Sequence, residues 1–257
     1  RPKRSADRFG LPVVFDLRQA DMAAGGEGAP LVPAYHRALV RAAALAEPVL
    51  VINLGGVANI TFIDGDTLIA FDTGPASAMI DDAVAETGKP YDEGGRIAAS
   101  GTVDPDALAA LLNHPFFGLP APKSLDRDAF SPAPVAGLAF ADSVATLTAF
   151  SAEALAQGAA LLPRAPRTVI AAGGGTHNRA LIGAIERALK TKVESADAAG
   201  FSSDFMEAEA FAYLAVRSVR GSPITFPGTT GVPEALTGGR LILPNEAAGR
   251  TVSTRSA

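Results

Sequence analysis

The sequence has no cysteine, no tryptophan, only three histidines, and charged residues at a modest 19%. Without cysteine there is no disulfide framework and no thiolate metal site. His36, His114 and His177 are too widely scattered to suggest a zinc cluster. Lysine and arginine total 22 against 27 acids, a net charge of −5, so there is no basic footprint and nucleic acid is not an expected partner. No uninterrupted apolar run approaches the roughly 18 residues a membrane helix needs, so no membrane partner is expected. The basic start Arg1-Pro2-Lys3-Arg4-Ser5 is followed by no apolar segment and does not read as a secretion signal. The chain also lacks an initiator methionine, and Ala6–Gly10 reads as a helix end with a glycine stop. The expectation is a fragment that begins inside an element. No repeat recurs at a fixed period.

What is present suits a sizeable core: hydrophobic residues make up 48% of 257 positions, enough for one large domain or two modest ones. A soluble α/β protein of a reducing, cytoplasmic compartment is expected. Leu11–Leu17 reads as a short buried strand, followed by the glycine-rich loop Asp21–Pro30 and a helix over about Pro33–Leu45. Three strands come next: Val49–Leu54, Val57–Ile63 and Thr67–Phe71, with turns at Gly55-Gly56 and Asp64-Gly65-Asp66. A helix over Met79–Glu86 leads into a turn-rich stretch from Pro90 to Pro134. A long helix beginning at Asp142 follows, then a strand at Thr168–Ala172, a triple-glycine loop, and helices at Asn178–Leu189 and about Asp204–Val219. The tail from Asn245 is polar.

Four constellations carry potential chemistry. Gly55-Gly56 between two strands would let backbone N–H groups approach a phosphate, or would merely serve a hairpin needing positive φ. Gly173-Gly174-Gly175, between a strand and a helix, offers a floor for a flat ring or a phosphate. No Gly-Lys-Ser/Thr follows it and no G-x-G-x-x-G spacing is present, so neither a P-loop nor the dinucleotide fingerprint applies. A strand–GG–strand hairpin followed much later by strand–GGG–helix is the layout of the actin-like ATPase fold, and by analogy it favours a nucleotide. In Phe71-Asp72-Thr73-Gly74-Pro75, the carboxylate sits at a strand end held by a Gly-Pro turn and points outward from the sheet edge. It could take a proton from an attacking oxygen or hold Mg2+ through water; an Asx-turn is the plain alternative. In the helix around Glu207-Ala208-Glu209, residues Ala208, Phe211, Ala212 and Ala215 form a buried stripe with Glu207 beside it, the ordinary pattern of a helix with an acidic edge.

Taken in order, several stretches resemble the anhydro-N-acetylmuramic acid kinase family of the actin-like ATPase superfamily. They are Val13–Leu39, Ile52–Ile63, Phe71–Asp81, Tyr91–Gly101, His114–Phe130, Ala171–Asn178 and Glu207–Ala215, and the resemblance runs from about Ala6 to Pro244. It implies a cytoplasmic kinase of peptidoglycan recycling that uses ATP and Mg2+. Such an enzyme opens the bridge of 1,6-anhydro-N-acetylmuramic acid with water and phosphorylates O6. By resemblance, Asp72 is the base, and Arg18, Asp21, Gly25, Gly26, Glu27, Gly28 and Glu207 form the sugar site. Gly55, Gly56, Asn59, Thr73 and Gly74 face the phosphates, Gly173, Gly174, Gly175 and Asn178 the adenosine, and no metal ligand is assigned. A homodimer is the assembly the resemblance suggests. Residues 1–48 would be the remnant of a first lobe, 49–244 a second, ribonuclease H-like lobe, and 245–257 a tail.

Three departures stand out. The family has Gly-Gln where this chain has Gly26-Glu27, and Gly-Asn where it has Ala76-Ser77. If that glycine uses positive φ, Ala76 is strained by roughly 1 kcal/mol or more. The family's opening segment, which carries the first lobe's phosphate loop, is absent. The chain alone is therefore expected not to turn over. A kinase for another amino sugar, or a non-catalytic nucleotide- or sugar-binding remnant, remains the alternative.

Overall fold

The computed structural model describes residues 1–203 and 205–245. Asp204, expected to open a helix, and residues 246–257, nearly all of the expected tail, lie outside the described residues.

The chain opens with α1 (Pro2–Phe9), stopped by Gly10 in the left-handed conformation at φ 65°. Next come β1 (Val13–Phe15), α2 (Gln19–Ala23) and α3 (Pro33–Ala42), then β2 (Val49–Leu54), β3 (Val57–Asp64) and β4 (Thr67–Pro75). After α4 (Ala78–Ala85), α5 (Arg96–Ser100) and α6 (Pro105–Leu112), the long α7 (Phe140–Ala159) leads to β5 (Thr168–Ala172). The chain then forms α8 (Arg179–Leu189), β6 (Glu194–Ser195), α9 (Met206–Val219), α10 (Pro227–Thr230) and β7 (Arg240–Ile242).

Five strands form one mixed sheet in the order β4-β3-β2-β5-β6. β2, β3 and β4 make an antiparallel meander, while β5 and β6 run parallel to β2. The α/β class, with a mixed sheet and flanking helices, is therefore as expected. Alternation along each strand divides the apolar residues between two faces. Leu50, Ile52, Ile60, Phe62, Phe71 and Val169 pack against Ala152 and Leu155 of α7 and Leu181 and Ile185 of α8. Val49, Val51, Ile63, Leu68 and Ile170 face Val40 of α3 and Met206 of α9. Both faces are covered, so the strands read as nearly continuous apolar runs.

Local signals place most elements well, and tertiary packing overrides them in a few places. The run at Leu11–Leu17 yields only three half-buried strand residues, which pair with β7 in a separate two-stranded ribbon. β4 does not end at Phe71; it continues to Pro75, because proline is tolerated at the end of an edge strand. The stretch expected to be turns holds α5 and α6. The start signal of α6 lies in the sequence, with Pro105 at its first position and Asp104 Oδ1 accepting from Ala107 N at 2.8 Å. On α9 the buried residues are Met206, Ala210 and Leu214, while Ala208 and Ala212 are exposed and Phe211 is 45% exposed. An alanine-rich helix has too weak an apolar preference to choose its own face. Contacts to α3 choose it instead: Tyr35 lies 5.5 Å from Tyr213, ring to ring, and its hydroxyl donates to Glu209 Oε2 at 2.7 Å.

Candidate active site

The site grows from strand register. Asp72 on β4 pairs with Asn59 on β3, Asn59 with Asn53 on β2, and Asn53 with Ala172 on β5. Residues directly opposite one another share a face, so a carboxylate and two amides form one row across the sheet. The row lies on the face covered by α3 and α9. The register shifts next to it: Ala58 pairs with Gly74, leaving Thr73 as the extra residue of a bulge. Asp72 thus points from the sheet face into a cleft, rather than outward from the sheet edge at a Gly-Pro turn.

This cleft encloses about 530 Å3 between the polar row, the loop Gly28–Val32, His36, the Ala172-Gly173-Gly174 corner and α9. Arg18 and Glu207 also line it. Of the residues singled out from sequence, the structure brings together Arg18, Gly28, Asn59, Asp72, Gly173, Gly174 and Glu207. A wider groove of about 700 Å3 between α4 and the start of α7 contains none of them.

Asp72 is partly buried, and burial pushes its carboxyl up from 3.8 to about 6. A hydrogen bond from Leu125 N to Oδ2, at 2.8 Å, pulls the other way and is outweighed. The backbone N–H of Asp72 donates to Lys123 O at 2.9 Å, so segment 123–125 runs along the edge of β4. Lys123 brings no cation to the carboxylate: its Nζ turns back to Phe116 O at 3.0 Å and lies over that residue's ring. A carboxylate poised near neutrality and open to a cleft fits a general base.

The loop beside Arg18 is folded by Asp21, which is 1% exposed. Its Oδ1 accepts from Gly28 N at 2.7 Å and its Oδ2 from Thr230 Oγ1 at 2.6 Å. Gly26 lies so close to Asp21 and Val232 that a side chain there would collide with both, and Gly25 and Gly28 have φ of 87° and 71°. Glu27 is not among the residues lining the cleft; its Oε2 accepts from Ser124 Oγ at 2.9 Å. Glu27 therefore couples the loop to the segment whose next residue holds Asp72.

Other candidates are placed elsewhere. Thr73 is buried toward α7, its hydroxyl on Ala58 O and its methyl against Gly158. Gly74 packs on Ala154 of that helix. Asn178 caps α8, its Oδ1 accepting from Leu181 N at 3.0 Å, and Gly175 is buried against Leu54. Gly55 and Gly56 are not at positive φ. Their carbonyls hold the start of α4: Gly55 O accepts from Ser77 N, and Gly56 O from Ala76 N and Ala78 N. Ala76 is fully buried and is not among the non-glycine residues at positive φ, which are Asp16, Ala44 and Lys190 among the described residues. The expected strain at Ala76 is absent. Sequence reasoning missed His36 and Asn53. Asn53 did carry a signal, a lone amide in an otherwise apolar strand just before Gly55-Gly56; His36 stood out only as one of three scattered histidines.

The family described as anhydro-N-acetylmuramic acid kinase matches residues 2–244. The chain belongs to the anhydro-N-acetylmuramic acid kinase family. A family member from Nitrobacter winogradskyi is 52% identical over 237 residues, and one from Rhizorhabdus wittichii 55% over 238; each alignment covers 91% of this chain. A third, from Caulobacter vibrioides, is 53% identical over 242 residues, 93% of this chain. The chain spans 65%, 64% and 65% of the length of these three anhydro-N-acetylmuramic acid kinases. Among solved structures, xylulose kinase from Rhodospirillum rubrum aligns with 84% of this chain and 45% of its own, at 16% identity and a TM-score of 0.43. Among the described residues no helix is long and apolar enough to cross a membrane.

Proposed function

We propose that this chain forms the sugar- and nucleotide-facing part of an ATP-dependent kinase that converts 1,6-anhydro-N-acetylmuramic acid to N-acetylmuramic acid 6-phosphate. The observation that carries this reading is Asp72: a carboxyl raised to about 6, in a row with Asn59 and Asn53, at the cleft that Gly173, Gly174, Arg18 and Glu207 also line. In the reaction, Asp72 takes a proton from water as the water oxygen bonds to the anomeric carbon. The bond from that carbon to the bridging oxygen breaks. The bridging oxygen then attacks the γ-phosphorus of ATP, and ADP leaves. Asn59 and Asn53 orient polar groups of the bound molecules beside Asp72. Glu207 and the exposed Arg18 contact the sugar from the rim, and the Gly173-Gly174 corner receives the adenosine. The backbone turn at Gly55 and Gly56 does not line the cleft itself; with Arg127 beside Gly56, it is assigned to the phosphates in this reading.

Among the described residues no three His, Asp or Glu side chains converge on a metal position. A Mg2+ ion in such a reaction would be held mainly by the nucleotide phosphates with one or two carboxylates, and no step above passes through one. Cytoplasmic location, a homodimeric assembly and the division into a first-lobe remnant at 1–48 and a second lobe at 49–244 belong to the same proposal.

The test is turnover in heavy-oxygen water. Residues 1–244 are grafted into a full-length relative in place of its matching stretch and supplied with ATP and the anhydro sugar. Mass spectrometry should find one heavy oxygen at the C1 hydroxyl of the phosphorylated product. Unlabelled product rejects the water-opening route, and no product with this sugar rejects the substrate. The chain without the graft is expected to yield no product.

A further inference from the structure

The steps above leave one buried polar side chain of the cleft unused. His36 on α3 is 2% exposed, lines the cleft, and has Nδ1 2.9 Å from Thr61 Oγ1. Thr61 lies two residues from Asn59 on the same face of β3. The imidazole therefore stands about 7 Å farther along the sheet than the Asp72–Asn59–Asn53 row.

The proton can be placed by accounting for hydrogen bonds. Thr61 is fully buried, and among the described residues its hydroxyl has one partner, Nδ1 of His36. If Nδ1 carried the hydrogen and donated it, the hydroxyl hydrogen would be stranded in the core, which folded chains avoid. The hydroxyl must therefore donate to Nδ1, and the ring hydrogen resides on Nε2. Nε2 has no protein partner and opens on the cleft, since among the described residues the one fully buried side-chain polar atom without a partner is Thr225 Oγ1. Burial also holds the ring neutral, its pKa lowered to about 4.

We propose that His36 is a specificity-determining donor, its Nε2–H recognising the acetamido carbonyl of the bound amino sugar, with Thr61 as the positioning residue that keeps the hydrogen on Nε2. This rests on the amino-sugar reading of the cleft and deepens it. The surroundings fit an acetamido group in both halves. Leu31, Met206 and Leu214, all buried, line the same cleft and give the acetyl methyl an apolar wall. A neutral donor buried among them suits an uncharged carbonyl, whereas an anionic group on the sugar is better met by the exposed Arg18. An amino sugar lacking the acetyl group would bring an ammonium, all donors, against another donor.

The experiment uses this chain, labelled with 15N at its histidines. Long-range ring spectra at pH 7 should show His36 with a pyridine-like Nδ1 and a pyrrole-like Nε2. A hydrogen on Nδ1, or a cationic ring, overturns the proposal without any ligand. On titration with 1,6-anhydro-N-acetylmuramic acid, the Nε2–H resonance of His36 should move, while the N-deacetylated sugar should bind about tenfold or more weakly and leave it in place. His36→Phe should weaken binding of the acetylated sugar by about tenfold, and His36→Gln, which keeps an N–H donor, should recover to within about threefold. Thr61→Val should lose the single-tautomer signature. If the sugar shifts other resonances but His36 is unmoved, the proposal fails and the kinase reading stands. If no amino sugar binds, the sugar site itself is rejected, and this inference falls with it.

Discussion

Replacing Asp72 by asparagine should make the protein inactive and more stable at the same time. The carboxyl sits in a cleft wall where burial raises it from 3.8 to about 6. An upward move of that size means the ionised form is disfavoured in the folded state by about 3 kcal/mol; solvent contact at the cleft reduces the effect to about 2 kcal/mol. The sign follows from proton binding. Between pH 3.8 and about 6 the folded chain holds a proton on Asp72 that the unfolded chain has released. Wild-type stability therefore carries this contribution in full below the lower value and loses it as pH rises through the upper one. Asparagine is neutral throughout, and its Oδ1 can still accept from Leu125 N. Urea denaturation of both proteins at pH 4 and pH 7 gives the answer. The variant should match wild type near pH 4 and exceed it by about 2 kcal/mol at pH 7, while turnover of the grafted enzyme disappears and ATP affinity stays within a few-fold. Equal stability at both pH values would show that Asp72 is as well solvated as an exposed carboxylate. Preserved turnover would remove it from the role of base. The acid limb of kcat/KM for the unsubstituted grafted enzyme should have its midpoint near 6.

Three further outcomes follow from the same geometry. Asp21→Ala leaves Gly28 N–H and the Thr230 hydroxyl buried without an acceptor, and should cost about 2–4 kcal/mol in a urea melt, with Asp21→Asn costing less. Gly173→Ala puts a methyl 2.7 Å from Leu54 O at φ +89°, so its thermal midpoint should fall by several degrees, with nucleotide affinity lost beyond what the remaining folded fraction explains. Burial and the Glu209 acceptor push the Tyr35 hydroxyl up to about 12, so the absorbance difference between wild type and Tyr35→Phe should develop with a midpoint near pH 12, and a midpoint near 10 would show both the burial and the hydrogen bond to be absent in solution.

Much of the strand framework could be read from the residues. Val49–Leu54 and Thr168–Ala172 are strands with the bounds expected, because β-branched and leucine runs closed by Pro48 or by glycine have few other uses. Asn178, expected to open the helix and face the adenosine, is instead its cap, an amide directly before an amphipathic run. Elements whose identity depends on a partner were harder. β1 was expected as a longer buried strand, but β7, more than 220 residues later and not foreseen, limits it to three half-buried residues. The buried side of α9 was misjudged because alanine supplies helix propensity without direction, and Tyr35 on α3 sets the rotation.

The sequence by itself determined the α/β class, the hairpins and the family, since these rest on local propensity and on which residue types occur in which order; it offered Asp72 as one candidate among several. Tertiary structure alone decided which candidates meet. Strand register, a bulge at Thr73 and the lie of α3 set Asn53, Asn59, Asp72 and His36 around one cleft and turned Thr73, Gly175 and Asn178 away from it. Spacing along a chain says which face of its own strand a residue takes; only pairing between strands says what stands opposite.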